Sequence, residues 1–218
     1  NYRENLSKLG IPEKVIDTIR INPTPEEAKE EGIIPLYLEV RNVREIKGWK
    51  VGGKFDMIFE GILMDTKSTS TYTYEKGIKD DDYRAQGSIY AWLNQDKVTF
   101  PYLRINYIFT DWSEARALRD DKYPQASIMG SMSEYPIKLW DTDQTEQFIK
   151  GKLAQLDALA NTPEPELPRC SDEDLWRSDF VWKYYKNPAN KARSTKNFDT
   201  EAEAIKRFYA DGKIGEVV

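Results

Sequence analysis

The segment GGKFDMIFEGILMDTK, residues 52–67, contains two short apolar runs separated by Glu60-Gly61. Glycine in a two-residue connection between such runs predicts a tight β-hairpin turn. The register then follows, with position 59 opposite 62, position 57 opposite 64, and Asp56 opposite Asp65. The segment is therefore expected to form a hairpin that brings two carboxylates together.

Side chains that alternate along the two strands divide this hairpin into two faces. We predict a core face made of Phe55, Met57, Phe59, Ile62 and Met64. The opposite face carries Asp56, Asp65 and Lys67, with Ile58 and Leu63 between these residues and the turn. Because both faces carry apolar residues, the hairpin is expected to lie centrally in a sheet and to be largely buried.

Facing carboxylates repel each other, and the pKa of one of them rises unless a cation compensates. Mg²⁺ is the natural compensation, because it takes oxygen ligands and commonly uses one or two carboxylates with waters and phosphate oxygens. Lys67 projects from the same face and can hold a phosphate oxygen or orient and deprotonate a water. The pattern favours a metal-assisted phosphodiesterase site. The alternative interpretation is a solvated hairpin face with scattered charges.

Asp56 followed by Asp65-Thr-Lys67 resembles the signature of the PD-(D/E)XK nuclease superfamily. Gln86-Gly-Ser-Ile-Tyr90, on a following predicted helix, is similar to the QxxxY motif of its RecB-like branch. That branch includes helicase-associated nuclease domains, phage-type exonucleases and CRISPR-adaptation-type nucleases. The resemblance covers roughly residues 39–110, and Phe55 stands where the family usually has Pro.

The resemblance implies an α/β fold with a mixed central β-sheet, a catalytic hairpin in its centre and flanking helices, as in restriction endonucleases. It implies that Asp56, Asp65 and the Thr66 backbone carbonyl bind Mg²⁺ or Mn²⁺. Lys67 would activate water or stabilise the transition state, and Gln86 and Tyr90 would position the reacting groups.

The resemblance points to a further candidate metal ligand, and the residue types themselves suggest DNA contacts. Glu39 is a candidate metal ligand with Glu45 as its rival, and the alternative for Glu39 is a surface glutamate paired with Arg41. The candidate DNA contacts are Lys54, Ser68, Thr69, Tyr72 and Arg84. For 68–74 the alternative is a polar edge strand, and for Arg84 it is an exposed arginine without a partner.

Composition limits the classes of function. The 218 residues carry a net charge of −5 and are 39% hydrophobic, which indicates a globular chain and argues against a passive nucleic-acid coat protein. The absence of histidine excludes His-ligated zinc and Ser-His-Asp catalysis within this chain, and the single cysteine, Cys170, excludes an iron–sulfur cluster. The RecB-like branch usually carries a His, often with a Glu, on an earlier helix. Either this chain begins after that helix, which its start at Asn1 favours, or the position has diverged.

The remaining chain predicts helices at 13–20, 82–93 and 142–160, a central strand at 101–110 and an edge strand at 135–140. We assign residues 1–168 to the nuclease core. Residues 169–218 are predicted to form a strand–strand–helix appendage, either a DNA clamp or a packing module. No signal peptide and no apolar run near the length of a membrane span is seen, which predicts a cytoplasmic protein without membrane contact.

We therefore expect a Mg²⁺- or Mn²⁺-dependent deoxyribonuclease, most specifically a phage-type exonuclease in recombination or DNA processing. DNA is the expected ligand, and a recombination or single-strand-annealing protein is a candidate partner. The sequence assigns no oligomeric state. The alternatives are a non-catalytic DNA-binding module of the same fold and a site-specific endonuclease.

Overall fold

The computed structural model describes residues 2–130, 136–172, 174–175 and 180–218. The chain divides into two compact units, Asn1–Ala160 and Asn161–Val218. The protein is of the α/β class, with a mixed central sheet flanked by helices. None of the helices in the described ranges has the length and apolar composition needed to cross a membrane.

The first unit contains the central sheet. Its strands are β1 (Ile19–Ile21), β2 (Ile34–Leu38), β3 (Arg41–Ile46), β4 (Trp49–Lys54), β5 (Met57–Phe59), β6 (Ile62–Thr69), β7 (Tyr102–Phe109), β8 (Ile128–Gly130) and β9 (Ile137–Lys138). Its helices are α1 (Tyr2–Lys8), α2 (Glu13–Ile16), α3 (Thr71–Lys76), α4 (Asp80–Leu93), α5 (Glu114–Ala117) and α6 (Thr142–Leu159), with a 3₁₀ turn at Glu27–Lys29.

The sheet has the order β1-β2-β5-β6-β7-β8, and β9 also pairs with β7. The β1–β2 and β6–β7 pairs are parallel, and the other neighbours are antiparallel. The hairpin β5–β6 therefore lies in the middle of a mixed sheet, as predicted. Strands β3 and β4 form a separate two-stranded hairpin.

The turn of the central hairpin has two residues, Glu60 and Gly61, with φ of 48° and 79°. Two positive φ values are the mark of a type I′ turn, whose twist matches that of the flanking strands. Phe59 pairs with Ile62 and Met57 with Met64, so the predicted register of these two pairs is confirmed. Asp56 precedes β5, so the pair Asp56–Asp65 is not part of the strand ladder. A Cβ atom on Gly61 would lie 2.0 Å from the Thr99 hydroxyl oxygen, which leaves room only for glycine.

The predicted core face of this hairpin is wrong. Ile58 and Leu63, on the opposite face, are 1% and 0% exposed. The face bearing Met57, Phe59, Ile62 and Met64 is only half-buried. The reason is that α4 packs on the Leu63 side, where its Gly87 lies against Leu103 of β7. Phe55 is fully buried, but it precedes β5 and lies outside the strand alternation.

Two further local predictions differ from the structure. The helix predicted for 13–20 ends at Ile16, because Ile19–Ile21 pairs in parallel with β2 instead. For the segment 68–74 one prediction is a polar edge strand, but only Ser68 and Thr69 belong to a strand, β6. Ser70 then caps α3, and its hydroxyl accepts a hydrogen bond from the Thr73 N–H at 3.1 Å. Within the predicted edge strand 135–140, β9 is present, and Tyr135 lies outside the described residues.

The two long helices of this unit confirm the predictions for 82–93 and 142–160. They meet at Glu146 of α6, whose carboxylate accepts hydrogen bonds from the Trp92 indole N–H at 3.1 Å and from Lys150 at 2.8 Å. The Arg44 guanidinium of β3 lies 3.7 Å from the same carboxylate. Glu146 thereby links α4, α6 and the β3–β4 hairpin.

The second unit contains a three-stranded sheet of order β11-β10-β12 and one helix. Its elements are β10 (Trp182–Tyr185), β11 (Lys196–Phe198), α7 (Glu201–Ala210) and β12 (Glu216–Val217), after a 3₁₀ turn at Glu164–Glu166. Tyr184 is fully buried, and its hydroxyl hydrogen-bonds to the Asp211 carboxylate at 3.0 Å and to the Ile214 carbonyl at 2.8 Å. Tyr184 thus joins β10 to the segment that follows α7.

Gly61→Ala should destabilise the protein more than Gly48→Ala. Both glycines lie in two-residue turns at nearly equal φ, 79° and 78°, so alanine costs each about 1–2 kcal/mol of backbone strain. An added methyl group would clash with a neighbouring residue only at Gly61. There it would have to displace Thr99, which should cost roughly a further 1–3 kcal/mol. Urea denaturation of both variants measures the difference, and equal losses would contradict the contact with Thr99.

Glu146→Gln should lower stability at pH 7 and lose this effect as the pH falls. Lys150 first, and then the Trp92 indole, hold the pKa of the Glu146 carboxyl below its ordinary value of 4.5. The folded state therefore binds this proton less readily than the unfolded chain does. The stabilisation is fully present above pH 4.5 and disappears as the pH falls through the lowered folded-state pKa.

Thermal unfolding from pH 3 to pH 8 tests this prediction, with Glu31→Gln as the control. Glu31 is exposed and has no hydrogen-bond or ion-pair partner among the described residues. A destabilisation by Glu146→Gln that stays constant across the range would refute the assignment.

Candidate active site

The site is built around the start of β5 and the end of β6. One Asp56 carboxylate oxygen accepts a hydrogen bond from the Thr66 backbone N–H at 2.8 Å. The Asp56 backbone carbonyl accepts the Glu39 N–H at 2.9 Å. Asp56 is therefore fixed between β6 and the junction of β2 with β3, beside Asp65.

Asp65 is the buried carboxylate of the pair, with only 4% of its surface exposed. Burial, as the largest cause, raises the pKa of Asp65, while Lys67 lowers it and the nearby charge of Asp56 raises it further. The Lys67 ammonium nitrogen lies 2.8 Å from Oδ2 of Asp65. That oxygen has no hydrogen bond of regular geometry among the described residues, so the contact is an ion pair outside hydrogen-bond alignment.

The Lys67 side chain connects Asp65 to α4. Its ammonium donates a hydrogen bond of 2.8 Å to the Gln86 side-chain oxygen, and the Gln86 amide donates one of 3.1 Å to the Tyr90 hydroxyl. Gln86 and Tyr90 are four residues apart and share one face of α4, as predicted. The five predicted catalytic residues, Asp56, Asp65, Lys67, Gln86 and Tyr90, therefore lie in one cluster.

Tyr83 is a member of this cluster that the sequence analysis missed. The Lys67 ammonium lies 5.5 Å from the centre of its ring, within the range of a cation–π contact. Burial is the largest cause that raises the pKa of the Tyr83 hydroxyl. The signal was present, because Tyr83 precedes Gln86 by three residues and so lies on the same face of the helix.

The β3–β4 hairpin closes one side of the cluster. A Cβ atom on Gly53 would lie 2.7 Å from the Tyr90 ring, so the strand backbone packs directly against that ring. Lys54 forms an ion pair with Glu39, and this contact raises the pKa of Lys54. Glu39 has a φ of 54°, a conformation that costs a residue other than glycine about 1–3 kcal/mol and often marks functional sites.

The remaining candidates lie in different environments. The Thr66 and Ser68 side chains are exposed on β6, while Thr69 is half-buried. Tyr72 lies on α3 and is 60% exposed. Arg84 is not without partners, because it donates to the Lys138 carbonyl at 3.1 Å and pairs with Asp81. Its guanidinium thereby ties α4 to β9.

The donor set fits a hard cation held by few protein ligands. Asp56 and Asp65 are close enough for their charges to interact, and one Asp65 oxygen lacks a regular hydrogen bond. Two carboxylates are enough for Mg²⁺, which keeps several waters and substrate oxygens. In the described ranges no group of three or more Asp, Glu, His or Cys side chains could hold a metal, and the Glu39 carboxylate points to Lys54.

Comparisons with known proteins identify no family. No protein-family model matches the chain, and no curated protein matches it. Among solved structures, the crystal structure of SSO0001 is similar at 21% identity and a TM-score of 0.36, over 59% of this chain and 52% of that one. This chain thus spans about half the length of that protein, and a TM-score this low carries no argument about function.

Gly53→Ala should destabilise the protein, whereas Gly52→Ala should change stability little. A methyl group added at position 53 would lie too close to the Tyr90 ring and 3.1 Å from the Leu93 side chain. Such overpacking costs roughly 1–3 kcal/mol. At position 52 it meets the exposed Val43 and the end of Arg41, both of which can move aside. Urea denaturation compares the two, and equal stabilities would contradict the packing of Tyr90 on this strand.

Proposed function

We propose that this chain is a metal-dependent DNA nuclease of the PD-(D/E)XK type, with its catalytic core in the first unit. The observation that supports the proposal best is the continuous contact from Asp65 through Lys67 to Gln86 and Tyr90. This chain of contacts joins two motifs that come from separate elements, a sheet strand and a helix. A solvated face with scattered charges would not bury Asp65 against a lysine.

In this proposal Lys67 is the residue that meets the reacting phosphate. Its ammonium carries three N–H donors, of which one is directed to Gln86 and one lies beside Asp65. The third is available for a phosphate oxygen or an attacking water. Gln86 and Tyr90 hold the lysine in place from α4, so they act as positioning residues.

Asp56, Asp65 and the Thr66 carbonyl are the residues that would hold Mg²⁺ or Mn²⁺. The cation would supply charge neutralisation at the phosphate and lower the pKa of a bound water. Thr66 fixes the orientation of Asp56 through its N–H, which leaves the second Asp56 oxygen free to serve as a ligand. Glu39 would contribute only if Lys54 released its carboxylate.

The more specific form of the proposal is a phage-type exonuclease acting in recombination or DNA processing in the cytoplasm of a bacterial host. Its ligand would be DNA, and a single-strand-annealing or other recombination protein would be its partner. The second unit, with β10, β11 and α7, would serve as an appendage of the nuclease core.

Wild-type protein should degrade linear DNA in Mg²⁺ or Mn²⁺ and lose this activity in EDTA. Lys67→Ala should reduce the cleavage rate by at least about 100-fold, the lower range for loss of a positioned catalytic group. Lys97→Ala is the matched control, because Lys97 also pairs with an aspartate, Asp96, at 2.5 Å and lies 5.4 Å from the ring centre of Tyr37.

Closed circular DNA added to the same assay separates the alternatives. Degradation of linear DNA alone supports an exonuclease, and cleavage of both forms indicates an endonuclease. Lack of cleavage by folded protein that still binds DNA without metal would refute catalysis and leave the non-catalytic DNA-binding module. Equal cleavage rates for Lys67→Ala and Lys97→Ala would show that Lys67 has no role in the reaction.

A further inference from the structure

The β3–β4 hairpin has an inward face that packs on α4 and an outward face that does not. Its strands pair Arg41 with Lys54, Val43 with Gly52, and Glu45 with Lys50, and these alternate with the pairs of the inward face. On the inward face Gly53 contacts Tyr90, and Arg44 stacks at 4.5 Å on Trp92. The outward face is exposed and consists of Arg41, Val43, Glu45, Lys50, Gly52 and Lys54.

Two cations oppose each other at the base of this outward face. Arg41 pairs directly with Lys54 across the hairpin, and like charges in that position destabilise a sheet. Glu39 neutralises Lys54, but Arg41 has no hydrogen-bond or ion-pair partner among the described residues. An unpaired guanidinium in this position is suited to a phosphate, which arginine can bind through two parallel hydrogen bonds.

This pair of cations lies next to the candidate active site. The hairpin base is tied to Asp56 by the hydrogen bond from the Glu39 N–H, and Lys54 precedes Asp56 by only two residues. Two residues of extended chain span about 7 Å, and paired strands are about 5 Å apart. The charge of Asp56 acts on Lys54. Arg41 is thus placed to reach a phosphate adjacent to the one that reacts.

The surface beyond this pair allows a nucleic-acid backbone to come close. Gly52 carries no side chain, so the Arg41 guanidinium lies close over its backbone, 3.3 Å from the position of a Cβ atom. Lys50 lies four residues before Lys54 on β4, about 13 Å along the strand. Glu45 opposes Lys50 and weakens its field, so Arg41 is the main cation of this face.

We propose that the outward face of the β3–β4 hairpin binds the DNA backbone beside the active site, with Arg41 as its principal phosphate contact. This inference rests on the proposed function, because it takes DNA as the ligand. It adds a substrate-binding surface formed by a hairpin that stands outside the central sheet.

Arg41→Gln should weaken binding of a short labelled DNA duplex in EDTA by about tenfold, the factor expected from losing one charge-assisted hydrogen bond. The slope of log affinity against log salt concentration should fall by about 0.9, the value for one phosphate contact on duplex DNA. Arg119→Gln is the control, because Arg119 is exposed and its side chain has no partner in the described ranges. Fluorescence anisotropy measured at salt concentrations from about 50 to 200 mM gives both the affinity and its salt slope.

The inference is overturned if Arg41→Gln matches the wild type in affinity and salt slope, if Arg119→Gln loses as much, or if the wild type binds no DNA. Cleavage in Mg²⁺ is measured in parallel on the same proteins. Loss of binding by Arg41→Gln in a chain that never cleaves DNA supports the hairpin surface and refutes the nuclease. Cleavage by the wild type with unchanged binding by Arg41→Gln refutes only the hairpin surface.

Discussion

The two-residue turn at Glu60-Gly61 is the constraint on which the central sheet and the candidate site both depend. Because side chains alternate with a period of two, a slip of one residue would move Asp65 and Lys67 to the face away from α4. The Thr99 N–H donates a hydrogen bond of 2.9 Å to the Gly61 carbonyl and so holds the turn in place. The lack of space for any side chain at Gly61 constrains the turn further. The turn, several residues before Lys67, thus determines that Lys67 lies beside Gln86.

The register buries the carboxyl group of Asp65, whose residue is only 4% exposed. Taking a carboxylate out of water costs several kcal/mol, as an order of magnitude, and an ion pair recovers this only with good geometry. The geometry at Asp65 is incomplete, because Lys67 hydrogen-bonds to Gln86 and pairs with Asp65 only outside hydrogen-bond alignment. A buried group whose pKa is raised by burial and by the second carboxylate, Asp56, is a feature enriched at functional sites. Its cost to stability is understandable if the cluster serves binding or catalysis.

The sequence predicted what is local and failed where distant packing decides. The Glu60-Gly61 turn and the shared helix face of Gln86 and Tyr90 depend only on neighbouring residues, and both are confirmed. The core face could not be read from the hairpin, because both faces carry apolar residues and α4, a later element, covers one of them. The strand Ile19–Ile21 forms only because β2 pairs with it. Side-chain partners such as those of Arg84 depend on three-dimensional packing in the same way.

Net charge is a poor guide to the ligand of such a chain. The whole sequence carries −5, but charges beyond the Debye length, about 8 Å at physiological ionic strength, are largely screened. A phosphate that approached this cluster would therefore meet the local balance of charge around Asp56 and Asp65. Lys67 offsets Asp65 in the buried part of the cluster, and Lys54 is held by Glu39 at its rim. Arg41 is the cation left over in this neighbourhood, so an acidic protein can present a positive surface beside its carboxylates.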